Sequence, residues 1–478
     1  MIRDSRTELP DVLEAEVCIA GAGPAGISLA LELARRGRQV VLLEGGGVDA
    51  PGDAQSSYQG EVAGRHYPLL GSRLRWLGGT TNHWGGWVKP LDDIDFKDKP
   101  HFPLPGWPFG PETLREGYRS AAQWCELDSD EFHPDSLGRA AAEAHLQLPS
   151  DSGFVHRVFR FSPPTRFGSR YFDALEQASL IDCRLHLNAV ALEQSEDHIR
   201  ELRARTLGGG ECRVRARYFV LAMGGIENAR FLLNQSAVPG NQAGFVGRCF
   251  MDHYGYTPGV ILSRAGLAYE RGSIDDQDVM VVIAPSPDAV VRDGLRNCCF
   301  ILNTDAPDSI VPQDYWNTRL LGGASGGTYR VAMINESIPH PESRITLLDQ
   351  TDALGLRRTR LHWHLTEDEF TPVLDLFDRW ASVLSAAGLA RVRQLRAEKP
   401  PLNQHVGIGY HHMGTTRMSA DPEYGVADPD ARCWDRENLY LAGSSLFPHV
   451  GYSNPTLTIL ALTSRLADHL ASRLERAA

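Results

Sequence analysis

The chain has 478 residues, 42% hydrophobic and 23% charged, which supplies a large core and excludes a disordered chain or a small stapled scaffold. Acidic residues outnumber basic ones 60 to 48, and the resulting charge of −12 argues against nucleic acid or an anionic membrane surface as a partner. At roughly 150 residues per domain the length suggests about three domains, or two large ones if a layer is inserted into a nucleotide-binding fold. All but four of the 48 basic residues are arginine, a bias read as base composition rather than function. Eight cysteines with no CxxC pair make neither a disulfide framework nor a zinc site, so no metal is expected and a reducing cytosol fits. The sequence shows no signal-peptide h-region and no run of about 18 apolar residues, which predicts a cytoplasmic chain that does not span a membrane.

The first pattern is a strand over Glu16–Ala20, then Gly21-Ala22-Gly23-Pro24-Ala25-Gly26, a helix to about Arg36, and a strand from Gln39 to Leu43 that ends at Glu44. This reads as one βαβ unit. Gly21 permits the tight turn, Gly23 lets the backbone approach a pyrophosphate, and Gly26 lets the helix pack on the strand. The helix N-terminus offers free N–H groups, and Glu44 is placed to accept from ribose hydroxyls.

After a polar stretch comes Leu77-Gly78-Gly79-Thr80-Thr81-Asn82-His83-Trp84-Gly85-Gly86-Trp87, which suits a loop lying against a flat aromatic ligand. From Lys89 to Arg184 the prolines cluster and no recognisable chemistry appears. Tyr218–Ala222, Gly224-Gly225 and an amphipathic run from Ile226 to Asn234 repeat the strand-turn-helix pattern and are placed to rejoin the first sheet. Between about 255 and 400, short β-rich runs such as Asp278–Ile283 and Cys298–Leu302 alternate with loops and one helix, Glu367–Ala387. They predict an antiparallel sheet roofing the nucleotide domain, with Cys298 and Cys299 as buried strand residues.

The C-terminal segment carries Tyr410-His411-His412-Met413-Gly414-Thr415-Thr416-Arg417-Met418, then a strand, Leu439–Ala442, ending in Gly443-Ser444-Ser445. Asn454-Pro455-Thr456 then opens a helix whose Leu457, Leu460, Leu466 and Leu470 recur at helical spacing, with Asn454 beside its free N–H groups.

These motifs, with Gly247-Arg248-Cys249-Phe250-Met251-Asp252-His253, resemble the glucose-methanol-choline (GMC) oxidoreductases, flavoenzymes that oxidise alcohols with FAD. The resemblance covers both ends of the chain and is weak in the middle. It implies an α/β fold: a Rossmann-like FAD-binding domain from 1–90, 185–255 and 405–478, with a substrate-binding domain from 91–184 and 256–404. It implies His411, three residues before Gly414, as catalytic base and Asn454 as its partner, with the carbinol carbon giving hydride to flavin N5. His412 is the rival for the base. Asn-Pro-Thr is similar to the version in pyranose oxidases and related sugar enzymes, which points to a sugar, glycoside or aminoglycoside-like polyol as substrate; the family implies oxygen or another electron acceptor as oxidant, and no motif separates oxidase from dehydrogenase. Gly79, Thr80, Asn82, His83 and Trp84 correspond to the flavin loop. Some family members bond flavin covalently to a histidine there and others do not, so both attachments through His83 stay open. Gly443, Ser444 and Thr456 fall where the family closes over pyrophosphate and isoalloxazine. A non-redox lyase that retains FAD is the alternative within the family, and a non-catalytic flavin-binding subunit is the third reading.

Overall fold

In Val12–Ala20 the residues from Val17 onward are all buried, the pattern of a strand covered on both faces, and this strand lies inside a parallel sheet. Val17 pairs with Val40 of Val40–Leu43 on one side, and Ala20 pairs with Leu221 of Glu211–Leu221 on the other. Ile181–Leu185 and then Ile2–Asp4 extend one edge in parallel. Glu211–Leu221 therefore does rejoin the first sheet. Its last residues, Phe219–Leu221, also take Leu439–Leu441 as a parallel partner, while its first residues pair antiparallel with Ile199–Arg205. The computed structural model describes residues 1–49, 52–99, 102–138, 145–263, 267–274, 277–304, 327–365, 367–395 and 406–476.

Helix Pro24–Arg35 starts directly after the glycine turn, with Pro24 at its first position where a missing N–H costs nothing. It packs on the C-terminal helix Thr456–Arg476, whose Leu457, Leu460, Leu466 and Leu470 are buried as their spacing predicts. Each such leucine contributes about 2 kcal/mol of transfer free energy. A third helix, Arg115–Trp124, comes from the stretch where no pattern was legible; it packs on the C-terminal helix, and Tyr118 and Thr458 hydroxyls meet at 3.0 Å.

The second sheet is antiparallel, as the β-rich middle predicts. Its main path runs Ala390–Gln394, Tyr254–Ser263, Gly327–Asn335, Cys298–Asn303, Gln277–Pro285, Phe154–Phe161 and Trp87–Val88. Cys298 and Cys299 are buried strand residues, and all eight cysteines are free. The helix Glu367–Ala386 covers one face, with Trp380 stacked on Phe300 at 4.6 Å between ring centroids. A three-stranded sheet joins Arg344–Thr351, Arg357–Trp363 and Gly60–Gly64. Among the described residues no helix is long and apolar enough to cross a membrane.

Two backbone hydrogen bonds, Met251 N–H to Met413 O and Met413 N–H to Met251 O, both 3.0 Å, lock the segment before Tyr254 onto the His411 segment. That lock brings the antiparallel sheet to the mouth of the parallel one.

Candidate active site

A cavity of about 740 Å³ runs from the glycine turn to the His411 segment. At its nucleotide end Gly21 has φ +107°, and a Cβ there would lie 2.6 Å from the Ala222 carbonyl oxygen. A Cβ at Gly26 would lie 1.8 Å from the Gly21 oxygen, so Gly26 is the packing contact between turn and helix and stands behind the wall rather than in it. By contrast, a Cβ at Gly23, Gly224 or Gly443 would meet nothing within 4 Å. The chain comes close to open space at three points, and no side chain caps the helix that starts at Pro24, which leaves N–H groups for a pyrophosphate.

Glu44 is buried, and its carboxylate accepts from Ala22 N–H (3.1 Å) and Gly46 N–H (2.9 Å). Those bonds pin the turn to the second strand and leave lone pairs on the cavity side. Beside it Arg75 donates to Asn188 Oδ1 at 2.8 Å. Behind lies Glu227, between Arg73 (2.9 Å) and Arg230 (3.0 Å). Burial acts to raise the Glu227 pKa, but Arg230, Arg73 and Arg75 outweigh it and hold the carboxyl below its ordinary value. A dinucleotide such as FAD fits this end on the chemistry of its donors.

The flavin loop begins with Gly78 and Gly79 at φ +92° and +54° and turns through a single 3₁₀ turn, Gly79–Asn82. Thr80, His83 and Trp84 line the cavity, as do Pro24, Ala25, Ser444, Asn454 and Thr456. Asn82 does not: its carboxamide donates to the carbonyls of Leu77 and Gly79, both 3.0 Å, and is used in closing its own turn. Expected as a cofactor contact, it spends both amide hydrogens on bracing the loop. Trp84 is fixed by Nε1–H donating to Thr165 O at 2.9 Å. Burial and the nearby Arg166 lower the His83 pKa, which favours a neutral ring.

At the other end the paired histidines separate. Asn454 Nδ2 lies 3.3 Å from His411 Nε2. His412 instead turns to Ser72 Oγ (3.1 Å) and packs against Tyr67, while its carbonyl accepts from Ser444 Oγ–H at 2.6 Å. Burial holds the His411 pKa well below 6.5, with His253 and His412 adding to the effect; burial, Arg73 and His83 take His412 down to about 3. Both rings are neutral at neutral pH. Only His411 meets Asn454, and a neutral imidazole with an amide beside it is a base next to a hydrogen-bond donor.

Sequence reasoning missed three features of this end. Asp252 accepts from the main-chain N–H of Tyr410 (3.0 Å) and His411 (2.8 Å) and from Tyr67 O–H (2.7 Å); burial pushes its pKa up to about 7. His253 Nδ1 lies 2.9 Å from His411 Nδ1. The stretch after Lys89, where no chemistry was legible, supplies buried cations: Lys89 Nζ donates to Asp92 (2.8 Å) and Ser453 Oγ (3.2 Å), next to Asn454, and Lys99 pairs with Asp95 and Glu336. The signal for the first two was the Asp252-His253 pair itself. For the third it was the presence of lysine in a chain that uses arginine almost everywhere.

Comparison with known proteins finds that residues 16–292 match the FAD dependent oxidoreductase family and residues 339–463 match GMC oxidoreductase. The chain is 24% identical, over 96% of both chains, to a 2-methyl-1,2-propanediol dehydrogenase of Mycolicibacterium austroafricanum. Over 61% of its length and 52% of the relative's it is 26% identical to a 6'''-hydroxyparomomycin C oxidase of Streptomyces lividus. Its fold is similar to that of a pyridoxine 4-oxidase from Mesorbium loti, with a TM-score of 0.55 and 18% identity over 95% of this chain and 99% of that one.

Proposed function

The chain belongs to the FAD-dependent oxidoreductases, in the GMC family, and from that premise we propose that it oxidises an alcohol group of a sugar, glycoside or aminoglycoside-like polyol to a carbonyl, with His411 as base. The observation that carries this reading is that His411 and Asn454 meet on the wall of the same cavity that holds the glycine turn and Glu44. Bound FAD supplies the hydride acceptor. His411 Nε2 takes the hydroxyl proton as the O–H bond breaks. Asn454 Nδ2–H, beside it, donates to the oxygen as negative charge grows there. Trp84, Trp87 and Ile334 give this end an apolar wall that suits the C–H faces of a polyol, and the arginines, Arg73 and Arg75, lie at the nucleotide end. The names of the diol and hydroxyparomomycin relatives support a hydroxylated substrate.

The experiment is a panel of vicinal diols, free sugars, glycosides and aminoglycosides, with a dye as electron acceptor and product masses read directly. The reading expects a loss of two hydrogens from one class and dye reduction to match. Product formation without dye or oxygen consumption points instead to lyase chemistry.

A further inference from the structure

The function above requires one particular protonation pattern of His411, and the chain contains the parts that set it. A neutral imidazole carries one N–H and one lone pair. With Asn454 Nδ2 donating to Nε2 at 3.3 Å, the lone pair is on Nε2 and the proton on Nδ1. Nδ1 faces His253 Nδ1 at 2.9 Å, with the two rings nearly perpendicular at 80°. A proton on His411 Nδ1 therefore needs a lone pair on His253 Nδ1, which leaves the His253 proton on Nε2. Along the row Asn454 N–H faces His411 Nε2 and His411 Nδ1–H faces His253 Nδ1, while His253 Nε2 and Asn454 Oδ1, the outer atoms, are buried without a hydrogen-bond partner.

We propose that His253 is a positioning residue that fixes the tautomer of His411: by accepting a hydrogen bond from Nδ1–H it keeps Nε2, the atom facing Asn454, unprotonated and so able to take the substrate proton. This rests on the reading of His411 as base. When the substrate O–H bond breaks and the Nε2–H bond forms, His411 becomes an imidazolium whose Nδ1–H still points at a neutral acceptor, and that hydrogen bond strengthens with the charge. His253 is a fit acceptor because burial, the dominant effect, lowers its pKa to about 4 against an opposing pull from the main chain at Val450 and Gly451.

The surrounding main chain holds the pair in place. Gly409 N–H donates to His253 O at 2.9 Å, and Asp252 grips the N–H groups of Tyr410 and His411. Tyr410 takes φ +59° to make this bend. A Cβ at Gly409 would approach His411 Nδ1 to 2.8 Å and Asp252 Oδ1 to 3.0 Å, so only glycine leaves room for the two rings to meet.

The test is nitrogen NMR of the FAD-loaded protein labelled with ¹⁵N-histidine, in which protonated and unprotonated ring nitrogens are distinguished by shift. The His411 signals are identified by their loss in His411→Gln. The expected wild-type result is an unprotonated Nε2 and a protonated Nδ1. His253→Phe, which keeps a ring but removes the acceptor, is expected to lose that pattern, and His253→Asn, whose Oδ1 takes the place of Nδ1, to restore it. A wild-type His411 with its proton on Nε2, or an unchanged pattern in His253→Phe, overturns the proposal. If His253→Phe does not fold, the wild-type spectrum and His253→Asn decide alone. The readout involves no turnover, so a failed alcohol panel with the expected tautomer counts against the substrate reading and not against the pair.

Discussion

At the nucleotide end of the cavity main chain at Gly21, Gly23 and Gly443 faces the ligand space beside the Glu44, Arg73 and Arg75 side chains; at the end proposed as catalytic the facing groups are side chains, His411, Asn454 and Trp84. The first end comes from short continuous motifs, each a strand, a glycine turn and a helix start. The second is assembled from residues near 67, 84, 89, 252, 411 and 454, held by bonds between distant parts of the chain such as Tyr67 to Asp252 and Lys89 to Ser453. A main-chain cradle depends on local geometry and so on spacing. A side-chain cluster depends on tertiary contacts that spacing does not record.

Substitutions at the two ends should therefore fail differently, and the largest effect belongs to the catalytic end. His411→Ala is expected to slow anaerobic flavin reduction by about 10²–10⁴-fold, the range for loss of a general base, while the yellow FAD band remains. In the wild type the fall in this rate that marks protonation of His411 should come well below pH 6.5, separate from any change near pH 7 that follows protonation of Asp252. The reason is the sign of the shift: burial holds the His411 pKa well below 6.5, so the neutral base persists to lower pH and the acid limb moves down with it. A stopped-flow pH series checks both.

Lys99→Met acts on stability instead. Lys99 is 2% exposed, between the fully buried carboxylates of Asp95 and Glu336, and removing one partner of such a cluster costs about 3–5 kcal/mol. Denaturant unfolding should show it as a lower midpoint; an unchanged midpoint breaks the view that buried ion clusters hold the catalytic end together.

Gly23→Val separates the ends most cleanly. Its Cβ meets no protein atom within 4 Å and φ is −81°, so the fold should be intact by circular dichroism. The added methyls occupy ligand space, and FAD affinity should fall on the order of 100-fold, about 2.7 kcal/mol, in a flavin titration. His412→Phe is the mildest: it removes the bond to buried Ser72 and should cost about 1–2 kcal/mol in thermal unfolding, with the flavin-reduction rate changed by less than about tenfold. A rate loss equal to that of His411→Ala would reverse the two roles.

Legibility in the sequence follows the same division. The Gly21–Gly26 turn, the return of Glu211–Leu221 to the first sheet, and the leucine face of Thr456–Arg476 were readable because each is a periodic or glycine-spaced local pattern. The expectation that singled out His411 and Asn454 came through resemblance, since nothing local marks one histidine of a pair. For Asn82 the sequence leaves two uses open, because an amide in a glycine-rich loop serves a ligand or its own turn equally well, and here the turn takes both donors. Helix Arg115–Trp124, the Lys89 and Lys99 clusters and the His253 contact were not legible. Their partners lie far along the chain, Lys89 from Ser453 and Lys99 from Glu336, and no period links them.

The most direct test of the account is an anaerobic spectrum of the purified protein as polyols, sugars and glycosides are added one at a time. The account predicts a yellow protein whose oxidised-flavin band is bleached by one of these classes in the wild type and only very slowly in His411→Ala. A yellow wild-type protein that none of them bleaches, or a His411→Ala protein bleached as fast as wild type, contradicts it.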